Sequence, residues 1–405
     1  MKTAIETAHT FTRKRKVRVA ILLLSTLLLF LFAINLMVAS LTQLGENMAH
    51  AILFATSNPF TGLFIGLLIT AMLQSSSTTT SLVVAFVASG AITVMNAVPI
   101  IMGANVGTTI TSTIVSLGFI NQKKEFKRAF SAGTYHDFFN ILTVIILFPL
   151  EYYYGFLSET ATYFAHQLFN PVLQPVEQIT HGSAFGLGAL NTFLLNAIPA
   201  VIVALISLIL LFTSIVIFRK MVSDLLQVGN PQMFKRFFFK TPIKSFGWGI
   251  LTTAAIRSST ITTSIVVPMV AKRITKLKYA APFIMGANIG TTITAFIAVL
   301  LYANTKEAIT IALVHFLFNL CGVLIFFPIP FLRKIPLQLA AALGKLMLRY
   351  RLMGLVYLLC TFFLIPFALI YANHDPEKRK DLMNERKPVS GIVDFPKVQK
   401  DTGND

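Results

Sequence analysis

The chain has 405 residues, of which 55 per cent are hydrophobic and only 12 per cent charged, about half the ~25 per cent charge of a soluble domain. A net charge of +18 would suit a nucleic-acid binder, but the Lys and Arg residues sit in short clusters beside apolar runs of about 20 residues, which excludes that class and places the chain in a membrane. The two cysteines, Cys321 and Cys360, lie in apolar segments without ligand spacing, so they read as small buried hydrophobes rather than a disulfide or a metal site.

The basic run from Arg13 to Arg18 precedes an apolar stretch from Val19 to Ala39. That stretch exceeds the ~7–15 residues of a signal-peptide core and predicts a retained first transmembrane helix with its N-terminus in the cytoplasm. Apolar segments follow at 94–118, 129–149, 198–218, 280–302, 308–331 and 352–372, each long enough to cross about 30 Å of hydrocarbon as a helix. Two further stretches, 60–90 and 245–272, are apolar but broken by Ser and Thr clusters. They predict re-entrant hairpins, because irregular backbone at membrane depth must line a cavity or be buried in protein.

The loop charges agree with this order. Segments 119–128 and 219–244 and the loops after the second hairpin and after 308–331 are basic, whereas 150–180 holds Glu151, Glu159 and Glu177 and no Lys or Arg. With the hairpins not crossing, every basic loop falls inside and the acidic one outside. Charge does not orient the last helix; the count of crossings leaves the tail outside.

The chain repeats itself. Ile101 to Thr111 matches Ile284 to Thr294 at ten of eleven positions, an offset of 183 that also pairs Pro99 with Pro282, Ser75-Ser76 with Ser258-Ser259 and Thr79-Thr80-Ser81 with Thr262-Thr263-Ser264. Beyond a loop the offset becomes 179, pairing His136 with His315, Phe139-Asn140 with Phe318-Asn319 and Phe148-Pro149 with Phe327-Pro328. Three crossings per copy is an odd number, so the second copy is expected to be inverted, the pattern of secondary transporters. The expected fold is an all-α integral membrane protein of two inverted repeats, each with a re-entrant hairpin and a broken transmembrane helix. Its parts are a cytoplasmic segment 1–16, repeat 1 over 17–150 (hairpin 60–90, broken helix 94–118) and an extracellular-side connector 151–197. Repeat 2 covers 198–332 (hairpin 245–272, broken helix 280–302), followed by final helices 333–373 and a polar tail 374–405.

Gln74 to Ser81 is a run of eight polar residues in an apolar setting. Back-bonding to the carbonyl one turn earlier explains one or two such hydroxyls, not eight, each of which would cost several kcal/mol unpaired. A polar solute removes that cost. The second arm of each hairpin starts at the Ser cluster, so free N–H groups and a positive dipole end point at the site and suit an oxyanion. Asn105, Thr108 and Thr109, with Asn288, Thr291 and Thr292 in the second copy, offer oxygen ligands for a hard cation such as sodium. The neighbouring glycine pairs Gly103/Gly107 and Gly286/Gly290 let a helix break or let backbone approach an ion; close packing of small residues is the competing reading.

A Gln-Ser-Ser-Ser hairpin followed by Gly-Ala-Asn-(Val/Ile)-Gly-Thr-Thr, with a second copy, resembles the type II sodium-dependent phosphate cotransporter family over about 60–149 and 245–331. The resemblance implies sodium-coupled symport of inorganic phosphate by alternating access in a plasma membrane, the inner membrane of a bacterium. It implies sodium as coupling ion, no other metal or cofactor, and a homodimer, as family members often form. Ser75, Ser76 and Ser77 with Ser258, Ser259 and Thr260 would hold phosphate. Gln74, Asn105, Thr108, Thr109, Asn288, Thr291 and Thr292 would lie in or beside the sodium sites. The chain departs from the family at Arg257, where the pattern has Gln, and at Thr260, where it usually has Ser. Arg257 is expected either to contact the anion, since guanidinium matches phosphate in a fork, or to take the place of one sodium; a position at the cytoplasmic rim is the alternative.

Another oxyanion, such as sulfate or a carboxylate, or proton coupling remains open on residue chemistry alone, as does a channel. A serine-nucleophile enzyme needs a positioned base, and neither hairpin tip contains His, Lys, Asp or Glu, so no catalytic residue is expected. His136 and His315 read as structural partners of Asn140 and Asn319 one turn on. Asp137 reads as either a functional membrane carboxylate or an interfacial one.

Overall fold

In a computed structural model, residues 58–169, 187–226, 238–239, 241–256, 258–302 and 305–372 are described, with scattered positions between 22 and 56. Segment 1–16, the tail from 374 and Arg257 lie outside the described residues. Among the described residues every regular element is helical.

The first hairpin is α1 (Pro59–Leu73) and α2 (Ser76–Ala88). Asn58 caps α1, accepting from the N–H of Phe60 and Thr61, and Pro59 supplies a preset φ at its start. The broken helix follows as α3 (Val94–Gly107) and α4 (Ile110–Leu117), interrupted at Thr108-Thr109. Then come α5 (Lys123–Tyr154), α6 (Phe156–Phe169), α7 (Leu187–Ala197) and α8 (Ala200–Leu226). The second hairpin is α9 (Pro242–Ile256) and α10 (Ser259–Ala271), followed by α11 (Leu277–Tyr302) and α12 (Lys306–Phe326). The chain closes with α13 (Pro330–Arg349), α14 (Met353–Leu359), a π turn over Cys360–Leu364 and α15 (Ile365–Ala372).

Four of these helical runs are long and apolar enough to span a membrane among the described residues: Val94–Leu117, Lys123–Tyr154, Lys306–Phe326 and Met353–Ala372. At 1.5 Å per residue α5 is about 48 Å long. It carries Lys123, Lys124 and Lys127 at one end and exposed Tyr152, Tyr153 and Tyr154 at the other, the cationic and aromatic markers of the two membrane faces. By contrast α1, α2, α9 and α10 have 13 to 15 residues each, short of the ~20 needed to cross.

The same packing occurs twice. In the first half α1 lies on α3; in the second α9 lies on α11. Glycines make this contact close. A Cβ on Gly66 would run into the Ile100 carbonyl, on Gly103 into that of Leu63 and on Gly107 into that of Leu67. In the second half Gly249 meets the Phe283 carbonyl, Gly286 that of Phe246 and Gly290 that of Ile250. The sequence expectation that the glycine pairs break both helices holds only in part. The chain turns after Gly107, but α11 runs through Gly286 and Gly290 without interruption. Close backbone approach is their shared use.

The halves interlock through their second hairpin arms. α2 packs on α12 of the other half, and α10 packs on α5. The stretch expected as a connector carries helix α6, whose Leu157, Ala161 and Ala165 share the core of α12. Glu151 Oε2 caps that helix, accepting from the N–H of Leu157 (2.7 Å) and Ser158 (3.2 Å) across a left-handed Gly155. Helix α13 packs on α5 through Pro336, Ala340 and Gly344, three positions four apart on one face. Its Lys334, Lys345 and Arg349 face outward.

Replacing Gly103 by Ala should force α1 and α3 apart and cost about 1–3 kcal/mol, the usual range for overpacking. At Gly247, where a Cβ meets nothing within 4 Å, the same change should be neutral or stabilising by up to ~1 kcal/mol. Thermal unfolding of the two variants in detergent checks the contrast.

Candidate functional site

The site forms where both hairpins break. Gln74 ends α1 in the left-handed conformation (φ 52°, ψ 32°), one of two non-glycine residues with positive φ among those described. That sharp turn sets Ser75 as the N-cap of α2, its Oγ accepting from the Thr78 N–H at 3.4 Å. Ser76 and Ser77 form the first turn. In the second hairpin Ser258 caps α10, accepting from the Ile261 N–H at 3.3 Å, and Ser259 and Thr260 follow in the first turn. Two helix N-termini with serine caps are thus built alike, as expected from the repeat.

They also meet. Thr260 Oγ1 donates to the Gln74 carbonyl at 3.1 Å, so the two tips touch although 186 residues separate these positions in the chain. Ser75, Ser76, Ser258, Ser259 and Thr260 are buried. The hydroxyls of Ser76, Ser77 and Ser259 enter no hydrogen bond among the described residues. The break between α3 and α4 lies alongside. Thr111 Oγ1 donates to Gln74 Oε1 at 3.4 Å, and Ser112 Oγ donates to Thr263 Oγ1 of the second hairpin at 3.1 Å.

Thr108, at the break, has a buried hydroxyl with no partner. The Thr109, Thr291 and Thr292 hydroxyls donate back to the carbonyls of Val106 (2.8 Å), Ala287 (3.0 Å) and Ile289 (2.7 Å); a hydroxyl that donates can still accept.

Next to the tips a row of amides joins the halves. Asn140 Nδ2 donates to the Asn105 carbonyl at 2.5 Å, Asn288 Nδ2 to Asn140 Oδ1 at 3.0 Å, and Asn319 Nδ2 to Asn105 Oδ1 at 2.9 Å. The local pairing expected of the histidines holds for one of them: Asn319 Nδ2 donates to the His315 carbonyl at 3.0 Å, while both imidazoles reach elsewhere. His136 Nε2 lies 2.6 Å from Asn288 Oδ1, and His315 Nδ1 lies 3.2 Å from Thr80 Oγ1, each in the opposite half. Neither histidine sits near a helix start, since α5 begins at Lys123 and α12 at Lys306.

Asp137 is fully buried within the protein, about 21 Å along α5 from its first residue. Its Oδ2 accepts from Thr113 Oγ1 at 3.0 Å and from Tyr357 Oη at 2.9 Å. Sequence reasoning passed over Asn140 and Asn319 as site residues. The signal for them was there: they recur at the same place in both copies, four residues after the recurring histidines.

Paired, hydroxyl-lined helix breaks shared by the halves of a duplicated helical protein define a membrane protein built around one polar centre. The chain belongs to the Na+/Pi-cotransporter family, whose profile matches residues 29–165 and 210–354. It is 32% identical over 425 residues to sodium-dependent phosphate transport protein 2A of Mus musculus, covering 85% of this chain and 66% of that protein. Over 444 residues it is 31% identical to sodium-dependent phosphate transport protein 2B of Bos taurus and 29% identical to 2B of Homo sapiens, covering 86% of this chain and 64% of each. The chain therefore spans just under two thirds of the length of these relatives. No solved structure matches it.

Removing the Asn140 amide leaves the Asn105 carbonyl and the Asn288 amide without these partners. Asn140→Ala should lower stability by about 2–5 kcal/mol, the sum of two such losses. Thermal or denaturant unfolding checks this, with Asn140→Gln, which retains an amide, expected to lose less.

Proposed function

We propose that this protein is a secondary active transporter that carries inorganic phosphate across the plasma membrane together with sodium, by alternating access between two inverted halves. The observation that carries the reading is the contact between two serine-capped helix N-termini, one from each half, at Thr260 and Gln74. A tetrahedral oxyanion needs donors from several directions. Ser75, Ser76 and Ser77 on one side and Ser258, Ser259 and Thr260 on the other supply hydroxyls and backbone N–H groups, and both helix dipoles favour negative charge there. The names of the relatives, sodium-dependent phosphate transport proteins, support phosphate as that anion and sodium as its partner.

Sodium would take oxygens from Gln74, Asn105, Thr108 and Thr109 in one half and from Asn288, Thr291 and Thr292 in the other. The orphaned, buried Thr108 hydroxyl fits such a role. The short arms α1, α2, α9 and α10 support re-entrant hairpins, and the matching packing of the halves supports repeats related by inversion. Arg257 adds a positive charge at the second tip, where it either binds the anion or stands in for one sodium.

The test is uptake of labelled phosphate by the reconstituted protein under sodium, potassium and pH gradients, with sulfate and arsenate as competitors. Accumulation that needs sodium and is blocked by arsenate is the expected result. Accumulation driven by a pH gradient alone would replace sodium by protons, and carriage of sulfate in place of phosphate would overturn the substrate. Ser76→Ala and Ser259→Ala should each lower uptake about 10- to 100-fold, the loss of one hydrogen bond to a charged group. Arg257→Gln should change the charge moved per phosphate; unchanged stoichiometry and charge would remove Arg257 from the sodium role.

A further inference from the structure

Four positions are occupied by the same residue in both halves: Thr70 and Thr253, Thr79 and Thr262, Thr80 and Thr263, His315 and His136. Their hydrogen bonds differ. In the first hairpin Thr70 Oγ1 donates to Thr79 Oγ1 at 2.7 Å, tying α1 to α2, and Thr80 Oγ1 lies 3.2 Å from His315 Nδ1, tying the hairpin to α12. In the second hairpin neither tie is made. Thr262 turns back to the Ser258 carbonyl at 2.9 Å, as Thr79 does to Ser75 at 3.3 Å, but no bond joins it to Thr253; Thr263 accepts from Ser112 and donates to the Thr260 carbonyl at 3.4 Å, and His136 reaches Asn288 through Nε2.

Two buried atoms there, Thr253 Oγ1 and His136 Nδ1, have no partner among the described residues. They are the counterparts of two atoms that are bonded in the first half, Thr70 Oγ1 and His315 Nδ1. A buried polar atom without a partner is destabilising. Here the orphans fall where the other half has bonds, between residues of the same type. The identity of these eight residues does not account for the difference; the one neighbour that does differ is Ser112, which engages Thr263 and is matched by Ala295 in the second half. The broken α3–α4 against the continuous α11 shows the same asymmetry in the backbone.

We propose that Thr70, Thr79, Thr80 and His315 form a latch on the first hairpin, that Thr253, Thr262, Thr263 and His136 form its mirror on the second, and that one latch closes as the other opens. This rests on the alternating-access reading above. In the mirrored conformation His136 turns from Asn288 to Thr263, Thr253 bonds Thr262, and His315 turns from Thr80 to Asn105. The Thr70–Thr79, Thr80–His315 and His136–Asn288 bonds are each replaced by an equivalent bond; the Ser112–Thr263 bond is not, because the position matching Ser112 is Ala295, so the described conformation is favoured by about one hydrogen bond, a gap a cycling carrier can cross. These eight are positioning residues: they set which hairpin is held.

Hydrogen–deuterium exchange of the full chain in lipid nanodiscs, without phosphate, tests the latch, because exchange reports local opening. Thr80→Val should raise exchange in the first hairpin and lower it in the second, changing their ratio about fivefold, the weight of one buried hydrogen bond. Thr253→Val, which removes a bond made only in the mirrored conformation, should do the reverse, Thr80→Ser should behave as the parent, and the double Thr80→Val/Thr253→Val variant should return toward the parental ratio. If Thr80→Val does not fold, Thr253→Val is read by the same criterion. Exchange that rises only in the mutated hairpin, or a double variant that does not compensate, overturns the latch. Phosphate uptake by the same preparations separates the two ideas. Reciprocal exchange without uptake supports the latch and counts against phosphate transport; uptake with purely local exchange changes leaves transport standing and removes the latch.

Discussion

The amides of Asn105, Asn140, Asn288 and Asn319 are the constraint on which the arrangement depends. They sit on four different helices, two from each half, and they are buried. In a low-dielectric interior such groups need partners, and here three of their bonds cross to the other half: Asn288 to Asn140, Asn319 to Asn105 and His136 to Asn288. That requirement fixes how α3, α5, α11 and α12 meet, and so where the hairpin tips come together. Apolar packing alone would let these helices slide, because lipid solvates leucine as well as a neighbouring helix does.

The glycines make the amide row reachable. With a side chain at Gly66, Gly103 or Gly107, α1 could not lie against α3 at backbone contact. The three matching contacts in the second half do the same for α9 on α11. Each first arm is thereby joined to the helix that carries the Gly-Ala-Asn motif. Each second arm is joined to a long helix of the opposite half. A hairpin thus bridges two bodies, and its tip sits between them.

Much of this was legible in the sequence for physical reasons. Eight polar residues inside an apolar stretch demand a break, and the break was found at Gln74-Ser75 with the expected serine cap. A duplicated motif demands duplicated packing, and the glycine contacts match one for one. Other features were not legible because the same letters serve two physical ends. Gly286 and Gly290 read as a helix break but serve close approach within an unbroken α11. His136 and His315 each have an asparagine one turn on, and local spacing found the Asn319 bond to the His315 carbonyl; the imidazole partners lie across the repeat boundary, where no sequence interval points. Asp137 read as either functional or interfacial, and its partners Thr113 and Tyr357 are 24 and 220 residues away in the chain. Helix α6 was hidden in a stretch marked only by its acidic residues, one of which, Glu151, is the cap that starts it.

The cross-half bonds also bear on how the protein can be divided. A single copy of the repeat would lose the bonds that Asn105 Oδ1, Asn140 Oδ1 and His136 Nε2 make to the other copy, and buried polar atoms without partners are destabilising. Cut between the copies, the chain would yield two pieces, each with polar groups whose partners lie on the other.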